Sequence, residues 1–232
     1  MKIKGKAASS FAAIAGVLLF AVNAQANLLT NAGFDADNAS GGDVFGSSDW
    51  TAFGGGTFTT DGTNGPGALP NCCSPVANSL DNSFKVFSTS GAFQSFAATA
   101  GETYAGTAVG QNYGGDPILN VSDIRIQIAF FDADGLPAGT AAGGNASEGF
   151  NLFNSNLITA ASTRDVWLDL GVGTAPAPDN TAEVRFIVLG LAGSGGAGFF
   201  DDATFQIVPV PAAVWLFGSA LGLLGWVRRR AA

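Results

Sequence analysis

Between residues 121 and 131 the side chains alternate. Ile124, Ile126, Ile128 and Phe130 fall on one side, and Arg125, Gln127 and Ala129 on the other. A period of two belongs to a β-strand, whose successive Cβ atoms leave opposite faces of a sheet. An apolar face of this kind must be buried against a second layer. Less regular strand signals recur at 57–60, 84–88, 92–99, 103–109, 164–170, 182–189 and 198–207. No long helical periodicity interrupts them between Asn27 and Ile207. The 33 glycines point the same way, because glycine disfavours long helices and suits short strands joined by tight turns. Asp132-Ala133-Asp134-Gly135 reads as such a turn. It begins like a calcium loop, but Leu136, Pro137 and Ala138 follow where later ligands would stand.

The two ends differ from this body. Lys2, Lys4 and Lys6 precede an apolar run from 11 to 22, and Ala24-Gln25-Ala26 follows. That order is a secretory signal peptide over 1–26, cleaved between Ala26 and Asn27. At the other end Pro209-Val210-Pro211 leads into an uncharged stretch from 212 to 227, closed by Arg228, Arg229 and Arg230. Sixteen helical residues cover roughly 24 Å, somewhat less than a bilayer's hydrocarbon core of about 30 Å. A single transmembrane helix over 212–227 is expected, with the arginines on the cytoplasmic side. The intervening 27–207 is one domain's worth of chain.

The charge is unevenly spread. Between the signal and the tail, only Lys85, Arg125, Arg164 and Arg185 face all eighteen acidic residues. A nucleic-acid partner needs a basic face, so none is expected. There is no histidine, which excludes Ser-His-Asp and Cys-His catalysis and His-ligated metals. Catalysis by carboxylates alone survives as a minor alternative, a glycoside hydrolase with two acids. Cys72 and Cys73 are adjacent in a Gly- and Pro-rich loop. A strained vicinal disulfide, a link to another chain and two free thiols stay open, with the vicinal bridge preferred.

The tail resembles the PEP-CTERM sorting signal of Gram-negative bacteria over 208–232. Pro209, Pro211, Trp215, Gly218 and the Arg228–Arg230 triplet carry the likeness, while Val210 replaces the namesake acid. That resemblance implies recognition by an exosortase-type membrane protease. It also implies export through the inner membrane, membrane anchoring, and then residence at the cell surface or in an exopolysaccharide or biofilm matrix.

The body resembles the galactose-binding-like jelly roll of several carbohydrate-binding modules. Four stretches carry this: Asn27-Leu28-Leu29-Thr30-Asn31-Ala32-Gly33-Phe34-Asp35, the pair Phe93-Gln94-Ser95-Phe96 and Ala100-Gly101-Glu102-Thr103-Tyr104, the run 128–135, and Gly198-Phe199-Phe200-Asp201-Asp202-Ala203-Thr204-Phe205. The expected fold is all-β, a jelly-roll β-sandwich. The resemblance implies a structural calcium tying first strand to last through Asp35, Asp201 and Asp202, and a non-enzymatic protein. The expected function is a structural or adhesive component of the envelope or matrix, with a carbohydrate-binding module recognising polysaccharide as the alternative. Among aromatics that could stack on a sugar, Tyr113 is the exposed candidate, flanked by glycines. Trp50 and Trp167 are expected in the core.

Overall fold

A computed structural model describes residues 26–37, 44–61, 75–79, 82–119, 123–139, 152–191 and 195–209. The signal peptide up to residue 25, Cys72, Cys73, and the tail from Val210 onward lie outside them, including Pro211, Trp215, Gly218 and the arginines. Among the described residues no helix is long and apolar enough to cross a membrane.

The described chain is all-β. Twelve strands run in order: β1 (Val44–Phe45), β2 (Thr51–Phe53), β3 (Thr57–Asp61), β4 (Asn82–Phe87), β5 (Ser90–Ala97) and β6 (Thr103–Gln111). They continue with β7 (Asp123–Phe131), β8 (Leu152–Asn154), β9 (Ile158–Thr159), β10 (Trp167–Pro176), β11 (Glu183–Leu191) and β12 (Ala197–Ile207). They form two antiparallel sheets. Sheet A has the order β1-β3-β4-β12-β6-β10, and sheet B has β2-β5-β11-β7-β8, with β9 also pairing β7. Two antiparallel sheets face to face are consistent with a jelly-roll sandwich.

The alternation of 121–131 sets the core. Ile124, Ile126, Ile128 and Phe130 of β7 are buried, as are Val184, Phe186 and Val188 of β11. From sheet A come Phe84, Tyr104, Leu170, Phe200 and Phe205. Rings meet across the sandwich: Phe186 and Phe205 have centroids 5.4 Å apart, and Tyr104 and Phe130 5.8 Å. Glycine makes room for this. A Cβ on Gly106 would stand 2.6 Å from the Phe186 ring, and one on Gly198 would stand 2.1 Å from Ile124 Cγ2. Sheet A is thinned at those two points to admit large side chains from sheet B.

The N-terminal residues join the last strand without forming a regular strand. Leu28 N donates to the Phe205 carbonyl at 2.8 Å, and Asn27 exchanges bonds with Ala203 and Phe205. Phe34 then enters the core between Trp50 and Phe84, with centroids at 4.9 and 5.0 Å. Trp50 is buried, as expected, and its Nε1 donates to the Asn31 carbonyl. β10 starts later than the sequence signal, at Trp167, and runs on to Pro176. The Asp132-Ala133-Asp134-Gly135 turn is closed by Asp132 Oδ1, which accepts from Asp134 N and Leu136 N.

Candidate ligand-binding face of sheet A

Strand register lines up one cross-strand row on the outer face of sheet A. Phe58 of β3 is opposite Lys85 of β4, and Lys85 is opposite Phe199 of β12. Phe199 is opposite Gln111 of β6, and Gln111 is opposite Trp167 of β10. An outer face ordinarily meets water, yet Lys85, Phe199 and Gln111 are all buried.

Among the described residues, two segments bond to this face and its rim. The first is 75–79. Trp167 Nε1 donates to the Val76 carbonyl at 3.1 Å, while Asn78 N and Ser79 N both donate to Asp201 Oδ2, at 2.8 and 3.0 Å. Asn78 Nδ2 and Ser79 Oγ donate to the two oxygens of Asp202. The second is the loop after β6. Buried Asn112 donates to the carbonyls of Thr159 and Ser162 and accepts from Ile118 N, so it pins this loop to the turn before β10. Asp165 N donates to the Asn112 carbonyl, and Asp165 Oδ1 accepts from Gly114 N at 2.7 Å. Asp165 has φ +59°, a left-handed conformation uncommon for non-glycine residues and held here by these bonds.

Between the two segments lies a cavity of about 380 Å³, in the range of small-ligand sites. Trp167, Tyr113, Gln111 and Asp165 form one side, and the backbone strip from Pro75 to Asn78 forms the other. Tyr113 is half-buried, with its ring edge-on to Phe199 at 5.9 Å. Gln111 is 4 % exposed, and its Oε1 has no hydrogen-bond partner among the described residues. Such a buried orphan costs roughly 1–3 kcal/mol and is uncommon in folded proteins.

Trp167 corrects the sequence expectation. It is not a core residue but a half-buried wall of this cavity. On its strand Leu170 and Val172 point inward, so Trp167 shares the outer side with Asp169 and Gly171, both exposed. Gln111, Asn112 and Asp165 were not singled out by sequence. Only the Gly-rich setting of Tyr113 hinted at a loop site there.

The three acids expected to hold calcium separate into two sets. A register shift in β12 after Asp201 places Asp202 as the extra residue of a bulge, at φ +47°. Asp202 therefore turns its carboxyl to Asn78 and Ser79. Asp201 is fully buried, and burial pushes its carboxyl up to about 7 despite the hydrogen bonds it accepts. Asp35 does come near Asp201. The point where a Gly33 Cβ would sit is 2.6 Å from Asp35 Oδ2 and 3.7 Å from Asp201 Oδ1. Asp35 Oδ1 accepts from Asn82 N. No three acids, cysteines or histidines among the described residues group closely enough to hold a metal. Asp35 and Asp201 both approach Gly33.

No protein-family model matches this sequence, and no curated protein matches it. Solved structures do. A Stig cyclase from Fischerella sp. TAU superposes with a TM-score of 0.53 at 12 % identity, over 79 % of this chain and 98 % of that one. The xylan-binding domain of CBM 22 gives 0.48 at 13 %, over 80 % and 99 %. TmCBM61, in complex with β-1,4-galactotriose, gives 0.44 at 15 %, over 79 % and 99 %. The cyclase likeness shows a shared fold and nothing of activity. The two carbohydrate-binding modules superpose less closely still.

Proposed function

We propose that the protein is an exported glycan-binding component of the cell envelope or its extracellular matrix, with polysaccharide held in the sheet A cavity. The observation that carries this is the cavity wall, where the half-buried rings of Trp167 and Tyr113 stand beside Gln111 and Asp165. Aromatic faces pack on the apolar face of a sugar ring, and a carboxylate beside them accepts from its hydroxyls. A structural or adhesive role in the matrix is then exercised through this contact. We take this role to be non-enzymatic: a glycosidase uses two carboxyl groups across the scissile bond, and the described lining residues supply Asp165.

The test is binding of the full chain to arrayed polysaccharides, followed by calorimetry on any hit. Trp167→Ala should weaken binding at least about tenfold. The half-buried ring should contribute only ~1 kcal/mol to stability. An array with no hit, or a variant that binds like the wild type, sinks the proposal.

Asp35 and Asp201 support a structural calcium near the start of the domain and its last strand, as both carboxylates approach Gly33. The tail supports the sorting role through Pro209, Pro211, Trp215, Gly218 and Arg228–Arg230. An exosortase-type protease at the inner membrane would remove the arginines, and the mass of the mature C-terminus checks this.

A further inference from the structure

We infer that the sheet A cavity selects neutral glycans and rejects uronic-acid ones, with Asp165 as the residue that sets this preference. The inference rests on the glycan-binding role proposed above and names the ligand class. Its starting point is the polarity of the wall. Asp165 stands on that wall, and its Oδ1 accepts from Gly114 N at 2.7 Å. A carboxylate calls for a ligand that donates, as a hydroxyl does. A sugar carboxylate brings no donor and sets a second negative charge against Asp165.

No lysine or arginine is among the described residues that line the cavity. The chain between signal and tail has four basic residues, and all four are described. Lys85 is buried and 3.1 Å from Asp116, with its ammonium over the Phe87 and Phe199 rings. Arg125 pairs with Asp123, and Arg185 pairs with Glu183 on sheet B. Arg164 is exposed in the turn before β10 and is not among the residues lining the cavity. The segments outside the described residues between Asn27 and Ile207 contain no lysine or arginine, so none can reach in from there. The cavity wall thus carries the Asp165 carboxylate and none of the four basic residues, an arrangement that disfavours like-charged ligands.

The experiment sets matched hexasaccharides against the full chain by calorimetry. Each neutral chain is compared with its C6-carboxylated counterpart of the same linkage, glucan with glucuronan and galactan with galacturonan. The neutral partner should bind at least about tenfold more tightly. Asp165→Asn keeps an oxygen for Gly114 N and removes the charge, so it should shrink that ratio several-fold. Raising the salt concentration should shrink it as well. Equal or tighter binding of the uronate chain overturns the inference, as does an unchanged ratio in Asp165→Asn. Failure of every neutral and every acidic chain to bind overturns the glycan role itself, and this inference with it.

Discussion

The outer faces of the two sheets carry similar residues and have opposite surroundings. On sheet B the guanidinium of Arg185 lies 4.8 Å from the Phe93 ring and 4.0 Å from the Phe131 ring, and pairs with Glu183. All four are half-buried, and Ser95 and Gln127 beside them bond to neighbours at the surface. On sheet A the counterpart is Lys85 over Phe87 and Phe199, paired with Asp116. There Lys85, Phe199, Gln111, Ser83 and Asp201 are buried, and Ser83 Oγ and Gln111 Oε1 have no partner among the described residues. An antiparallel sheet can leave one face to water at little cost. Covering that face instead buries polar groups that water would have satisfied. The molecule tolerates this cost on the face that also holds the cavity. Local rules are broken where function is sought.

The comparison is broken most readily at the aromatic residues. Phe199→Ala removes a fully buried ring under the covering segments, and should cost about 3–5 kcal/mol in urea denaturation. Phe93→Ala, on the half-buried face of sheet B, should cost about 1 kcal/mol. Equal losses would mean that the outer face of sheet A is not packed as a second core.

A somewhat smaller effect belongs to Asp201. Its folded carboxyl is pushed up to about 7, above the ordinary aspartate value of 3.8, because burial disfavours the charged form. The folded state therefore holds this proton more firmly than the unfolded chain does. Its contribution to stability is complete below about pH 4 and is lost as pH rises through 7. At about 1.4 kcal/mol per unit, the loss amounts to at most ~4 kcal/mol. In calcium-free buffer, melting temperature should fall between pH 4 and 8, and Asp201→Asn should flatten the slope. Calcium should raise the melting temperature more at pH 8 than at pH 5, since it needs the carboxylate. A wild type with the same slope as the variant would rule out Asp201 as its origin, and no response to calcium or to a chelator would remove the metal.

The same contrast explains what could be read from the sequence. β7 and β11 have one face in the core and the other at the surface, so their hydrophobic alternation is visible in the residues themselves. β12 is buried on both faces over Ala197–Asp201 and carries a bulge at Asp202. Its Gly-Phe-Phe-Asp-Asp run therefore has no clean period. Trp167 was misread for a related reason. Apolar Val166 and Leu168 flank it, but a strand's parity is set by residues two apart, and Asp169 and Gly171 were the better guide. Gln111 and Asp165 join the site only through register and the Asn112 anchor, which link positions about fifty residues apart. The strands β1, β2, β8 and β9 are two or three residues long, too short for a period to show.

The finest test compares the two cations directly. Lys85 is 3 % exposed at its side chain and Asp116 is 21 %, whereas Arg185 and Glu183 are 28 % and 32 % exposed. Removing one partner of a buried pair strands the other and strips packing from the rings. Removing one partner of a solvated pair loses little. Lys85→Ala should then cost about 2 kcal/mol, and Arg185→Ala under about 1 kcal/mol. Only the second should shrink further in 1 M salt, where the Debye length is about 3 Å. Lys85→Met, which keeps the stem over Phe199, should recover part of the loss. If Met behaves like Ala, the ammonium rather than the packing dominates. If both cations cost the same in low and high salt, the two faces do not differ in the way their burial indicates.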